Sequence, residues 1–158
     1  MRRIAFAGVA VLALIAAACS SGDAGQPDPA DSPGVSAQLT QSAEAGGVTV
    51  EATWLTGDNV AGVKADLARY PLAQFVALGI KLDTHSGDLT SVNMEQAAGL
   101  EQAGTASQPQ AWVSVNDDSH HREGVLVFRR DLKDGPVTLA VRLAERELKL
   151  LWESVPGG

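Results

Sequence analysis

The sequence predicts an all-β domain, an antiparallel sandwich of about seven strands, and three observations carry that expectation. Apolar and polar residues alternate with period two through several short stretches. Turn-forming residues separate those stretches at the spacing expected of antiparallel sheets. The large aromatic residues fall one to a stretch, which suits a core between two sheets.

The first strand begins at Val48: Val48, Val50, Ala52 and Trp54 share one face, and Thr49, Glu51 and Thr53 the other. Gly57-Asp58-Asn59 turns the chain, and Val60 to Tyr70 reads as a connection closed by Pro71. Phe75 to Thr84 alternates again, with Val76, Leu78, Ile80 and Leu82 apolar and Lys81 and Asp83 wet. Five shorter candidates follow: Gln96 to Gln102, Gln110 to Val115, Gly124 to Arg129, Val137 to Leu143 and Glu147 to Glu153. Turns are predicted at Ser86-Gly87-Asp88, Gly104, Asn116-Asp117-Asp118 and Asp134-Gly135-Pro136. The charges at Arg142, Glu145, Arg146 and Lys149 also fit a helix, but Leu148, Leu150 and Trp152 resume period two, so a hairpin is preferred. Trp54, Phe75, Trp112, Phe128 and Trp152 are read as core in preference to a ligand-stacking platform.

Before the domain come two segments of different character. Residues 1–18 begin Met1-Arg2-Arg3 and continue with fifteen uncharged, mostly apolar residues, the pattern of a secretory signal. Ala16-Ala17-Ala18-Cys19-Ser20 then resembles the lipobox of bacterial lipoproteins, with Ala16 where many carry Leu. That resemblance implies a diacylglyceryl group on the Cys19 thiol, cleavage before it and acylation of the new amine. Each acyl methylene placed in a bilayer contributes about 0.8 kcal/mol, so two or three chains make a firm anchor. Residues 19–47, with Pro27, Pro29 and Pro33 and few large apolar side chains, read as a disordered tether spanning about 30 Å. The sandwich is assigned to residues 48–158.

Composition excludes several classes. The 158 residues carry 12 Lys+Arg against 19 Asp+Glu, a formal charge of -7; removal of residues 1–18 takes away Arg2 and Arg3 and leaves 10 minus 19, or -9. That sign, with no basic stripe, argues against nucleic-acid binding. A single cysteine excludes an intrachain disulfide and any multi-cysteine metal cluster. A blue-copper centre is excluded as well if Cys19 is lipidated, and Met94 alone in the mature chain makes a thioether-rich copper(I) site implausible. No Gly-x-Ser-x-Gly elbow, phosphate-cradling loop or His-Glu-x-x-His motif is present, so the expectation is a non-enzymatic protein.

All three histidines lie in two polar stretches, Asp83-Thr84-His85-Ser86 and Asp117-Asp118-Ser119-His120-His121-Arg122-Glu123. On a strand, Asp83 and His85 would project from one side about 7 Å apart. Imidazoles are common donors to zinc, copper or nickel, and carboxylates complete or orient such sites. A sheet that joins the stretches would offer His85, His120 and His121 to a divalent metal, with Asp83, Asp117 or Asp118 as a fourth ligand. Strand-end capping and solvated turns explain the same residues without a metal.

The order Phe75-x-Ala77-Leu78, Asp83-Thr84-His85-Ser86-x-Asp88-Leu89, Trp112 and His120-His121-Arg122-x-Gly124-Val125-Leu126-x-Phe128 resembles a family of uncharacterised secreted or lipid-anchored Ig-like β-sandwich domains. The resemblance runs from about Val48 to Trp152 and implies the fold and the grouping of the histidines, with no established activity. The expected function is that of a binding or accessory domain in the bacterial cell envelope, held by its lipid to the outer face of the cell membrane or to an outer membrane. Its partner is an unspecified envelope protein, and zinc or copper binding is the alternative.

Overall fold

The computed structural model describes residues 39–156. They form nine strands: β1 (Thr40–Ala45), β2 (Val48–Trp54), β3 (Phe75–Thr84), β4 (Ala98–Gln102), β5 (Thr105–Ser107), β6 (Ala111–Asp117), β7 (His121–Arg129), β8 (Val137–Leu143) and β9 (Arg146–Trp152). One helical turn, α1 (Met94–Ala97), precedes β4. The strands make a five-stranded sheet in the order β1-β2-β3-β7-β6 and a four-stranded sheet in the order β5-β4-β8-β9, every pair antiparallel. The expected sandwich is therefore present, with two more strands than alternation alone reveals.

The inward faces follow the period-two reading. Val50, Ala52 and Trp54 of β2, Val76 to Leu82 at alternate positions of β3, and Leu148, Leu150 and Trp152 of β9 meet in one apolar core. Trp54 and Trp152, each 2% exposed, cross edge to face with ring centroids 5.5 Å apart, joining the two sheets where β2 and β9 end. Phe128 is fully buried beside them. Phe75 instead lies on the outward side of β3, edge to face with Tyr70.

Phe75 belongs to a second apolar cluster. The connection after β2 folds back over the outer face of the larger sheet, setting Val60, Val63, Leu67, Tyr70 and Leu72 on Ala77, Val125 and Val127. That half of the sheet is covered on both sides. The continuous run Val125-Leu126-Val127-Phe128, each residue fully buried, is the sequence imprint of this double burial.

Several boundaries differ from the sequence reading, among them the end of β6, which runs to Asp117 through part of the turn expected at Asn116-Asp117-Asp118. Residues 40–45, assigned to the tether, form β1 and pair with β2 from Thr40↔Thr53 to Ala45↔Val48 through a Gly46-Gly47 turn whose φ values are both positive. Residues 105–107 form a short edge strand where only a turn was expected. β7 begins at His121, not Gly124, while Met94–Ala97, overlapping the start of the expected third strand, Gln96 to Gln102, is helical because Asn93 Oδ1 accepts the Gln96 amide. Residues 1–38, with the expected signal segment and Cys19, lie outside the described residues. Among the described residues no helix is long and apolar enough to cross a membrane.

Candidate functional site

Strand direction gives the sandwich two distinct ends. Leu39, just before β1, accepts a hydrogen bond from Trp152 Nε1 at 3.1 Å, so the chain enters and leaves the sandwich at one end. β1 runs about 20 Å to the other end. There the Gly46-Gly47 turn, the loop at residues 85–93, the turn at residues 118–120 and the Ala144-Glu145 turn come together. All three histidines stand on this far end.

An open groove of about 720 Å³ lies there, between the β1–β2 turn, the 85–93 loop with α1, and the β8–β9 turn. Val48, Leu89, Val92 and Leu143 supply its apolar lining, and Ser91, Asn93, Gln96 and Arg146 its hydrogen-bonding groups. Arg142, also in the lining, is engaged with Glu147 at 2.9 Å. Such a mixed lining suits a ligand with both apolar and polar parts.

One wall of the groove is held by Arg122, which is 9% exposed. Its Nε donates to Asp117 Oδ1 at 2.7 Å, and Nη1 donates to the carbonyls of Leu89 and Val92. The guanidinium also sits 5.5 Å from the centre of the Trp112 ring. A buried cation thereby has a counter-ion, two carbonyls and an aromatic face, and the 85–93 loop is tied to β7. Ser114 Oγ and Arg122 hold the Asp117 carboxyl below the usual carboxylate range.

The sequence-selected residues are divided among separate tasks. Asp83 and His121 are cross-strand partners on the outer face, with Nδ1 and Oδ1 2.6 Å apart and both side chains more than half exposed. Asp118 Oδ1 accepts the amides of His120 and His121, and the His120 amide is the main cause of its lowered pKa. Asp117 is engaged by Ser114 and Arg122. β3 ends at Thr84, so His85 lies beyond the strand and does not share the regular face of Asp83. Among the described residues no three His, Cys, Asp or Glu side chains lie close enough together to hold a metal ion. Ser119 Oγ and His120 Nδ1 are 3.4 Å apart and solvent-facing, which is long for a nucleophile activated by its base.

Two features escaped sequence reading. Arg122 looked like one more polar residue of a loop; its burial depends on β7 starting at His121, which turns residue 122 inward. The β8–β9 turn was identified as a turn, but its position across the groove from residues 85–93 is set by sheet stacking alone. Comparison with protein-family models, curated proteins and solved structures found no match.

Proposed function

We propose that this chain is a lipid-anchored, extracytoplasmic binding module of the bacterial cell envelope, tethered through Cys19 and binding through the far end of its sandwich. One observation carries the binding half of this reading: the chain enters at one end while the groove and the polar loops occupy the other. A membrane tether preceding Leu39 would direct the groove away from the lipid. The lipobox resemblance at Ala16-Ala17-Ala18-Cys19 supports the anchor. The net negative charge supports a domain that stands off the bilayer, because it repels the globule from anionic headgroups. The function is read as non-enzymatic, the partner as an envelope protein.

Two measurements test the reading. Labelled palmitate should enter the wild-type chain and not Cys19→Ser; unlabelled wild-type protein in the cytosolic fraction would overturn the anchor. For the binding end, a photo-crosslinking residue at Gln96 in the groove should capture a discrete envelope protein, whereas one at Gln102, at the entry end, should not. Equal capture at both positions counts against the groove.

The Asp83–His121 pair favours one second reading, zinc or copper binding, since a carboxylate at an imidazole nitrogen orients the ring for a ligand on its other side. His85 and His120 are exposed on adjoining loops. Calorimetric titration of tag-free protein should then show micromolar affinity at pH 7.5, weaker at pH 5.5 and lost in a His85→Ala, His120→Ala double variant. Absence of heat at pH 7.5 removes this reading and leaves the first intact.

A further inference from the structure

We propose, resting on the groove reading above, that the far-end groove receives the last residue of a partner protein. The α-carboxylate of that residue sits on Arg146 and its apolar side chain lies against Val48 and Leu143.

The lining holds two cations, and they differ in how they are engaged. Arg142 is neutralised by Glu147 at 2.9 Å. Among the described residues Arg146 has no hydrogen-bond or ion-pair partner. Its arm is nevertheless placed: a side chain at Gly46 would meet Arg146 Cδ and Nε at 3.3 Å, so the stem of the arginine lies against the β1–β2 turn. Glycine suits position 46 both for its φ of 65° and for this contact. A guanidinium already laid on a turn loses less freedom on binding than one free in water, and its planar fork matches a carboxylate.

The rest of the lining limits what can carry that carboxylate. Leu143 is the cross-strand partner of Arg146, and Val48 follows the Gly46-Gly47 turn, so apolar surface begins beside the cation. A ligand that uses both must present its carboxylate and an apolar group close together. Successive side chains of an extended segment project to opposite faces, so an internal acidic residue and its apolar neighbour do not both enter the groove. The C-terminal residue of a chain carries both groups on one α-carbon. Asp88 and Glu145 also line the groove and repel a ligand with several negative charges, which selects one carboxylate on an apolar end over an acidic tail. Across the groove Asn93 Oδ1 is taken by the Gln96 amide, which leaves Asn93 Nδ2 as a donor for the carbonyl before the last residue.

Fluorescence anisotropy tests this with the full chain carrying Cys19→Ser, titrated into peptides that bear a dye at the amino end and finish in Leu, Ile, Val or Phe. At least one should bind, and its C-terminal amide should bind about tenfold more weakly. Arg146→Gln should cause a similar loss and Arg146→Lys a smaller one. Lys133→Gln, the same charge change beside Gln102 at the entry end, should cause none. Arg146 is exposed, so circular dichroism of the Gln variant should match wild type. No binding by any of the peptides, equal binding of acid and amide, or undiminished binding by Arg146→Gln would overturn the proposal. Octanoate bound as tightly as the peptides would overturn it in favour of a free fatty acid. The groove reading fails separately: equal photo-capture at Gln96 and Gln102 strikes the groove itself. An envelope protein captured at Gln96 equally well with Arg146→Gln leaves the groove standing and ends this proposal.

Discussion

At Gly124 the inward face of β7 has room for a hydrogen atom and nothing larger. A methyl group there would stand 2.5 Å from Trp112 Cζ2 and 2.7 Å from the carbonyl oxygen of Val113. Neither the packed indole nor the strand backbone can yield that distance cheaply, so Gly124→Ala should lower stability by about 1–3 kcal/mol in a urea titration. Arg122 is the second such position. Arg122→Met should leave the Leu89 and Val92 carbonyls without a buried donor, at about 1–3 kcal/mol each, and raise amide exchange across residues 85–93 before it affects β2 or β9. Its counter-ion sets an acid dependence. Asp117 is held below its ordinary pKa in the fold, so its contribution is present above about pH 4 and is lost as pH falls through the depressed value. Thermal melts at pH 7 and pH 3 should differ less for Asp117→Asn than for wild type.

For the elements, the informative case is β1. A chain begun at Val48, where strict alternation starts, would discard β1 and the Leu39 carbonyl that receives Trp152 Nε1. It would also expose the full edge of β2. Such a truncation should melt lower than a chain begun at residue 39 and should aggregate on heating, which light scattering during the melt would report. β1 escaped notice because its residues, Thr-Gln-Ser-Ala-Glu-Ala, have no large apolar side chain. Its pairing comes from β2, and Leu39, Ala43 and Ala45 pack only at the margin of the core. β7 shows the reverse: Gly124 to Arg129 is a strand candidate in the sequence, yet the second apolar layer that covers Val125 and Val127 lies in a connection with no regular pattern of its own.

For the whole molecule, the two sheets depend on the buried Trp54–Trp152 contact between them. Trp152→Ala should cost about 3–5 kcal/mol, and because the core is shared, circular dichroism and tryptophan fluorescence should lose the two sheets in one transition. The candidate site was legible only in part. The histidines and their acidic neighbours could be picked out as the polar, chemistry-bearing stretches, and topology does bring them to one end. Their partners could not be read, since whether Asp83 meets His85 or His121 depends on the register between β3 and β7, which pairs Asp83 with His121.

Sequence by itself determined the fold class, the inward faces of β2, β3 and β9, and the polar character of the far-end loops. Each of these is written locally, in alternation and turn chemistry that a few neighbouring residues impose. Only the tertiary structure decided that residues 40–45 complete a sheet, that Arg122 is buried against Trp112 and Asp117, and that a groove opens between three turns distant in sequence. These are meetings between segments separated by tens of residues, and their cause is sheet register and sheet-on-sheet packing, which no single stretch of the chain encodes.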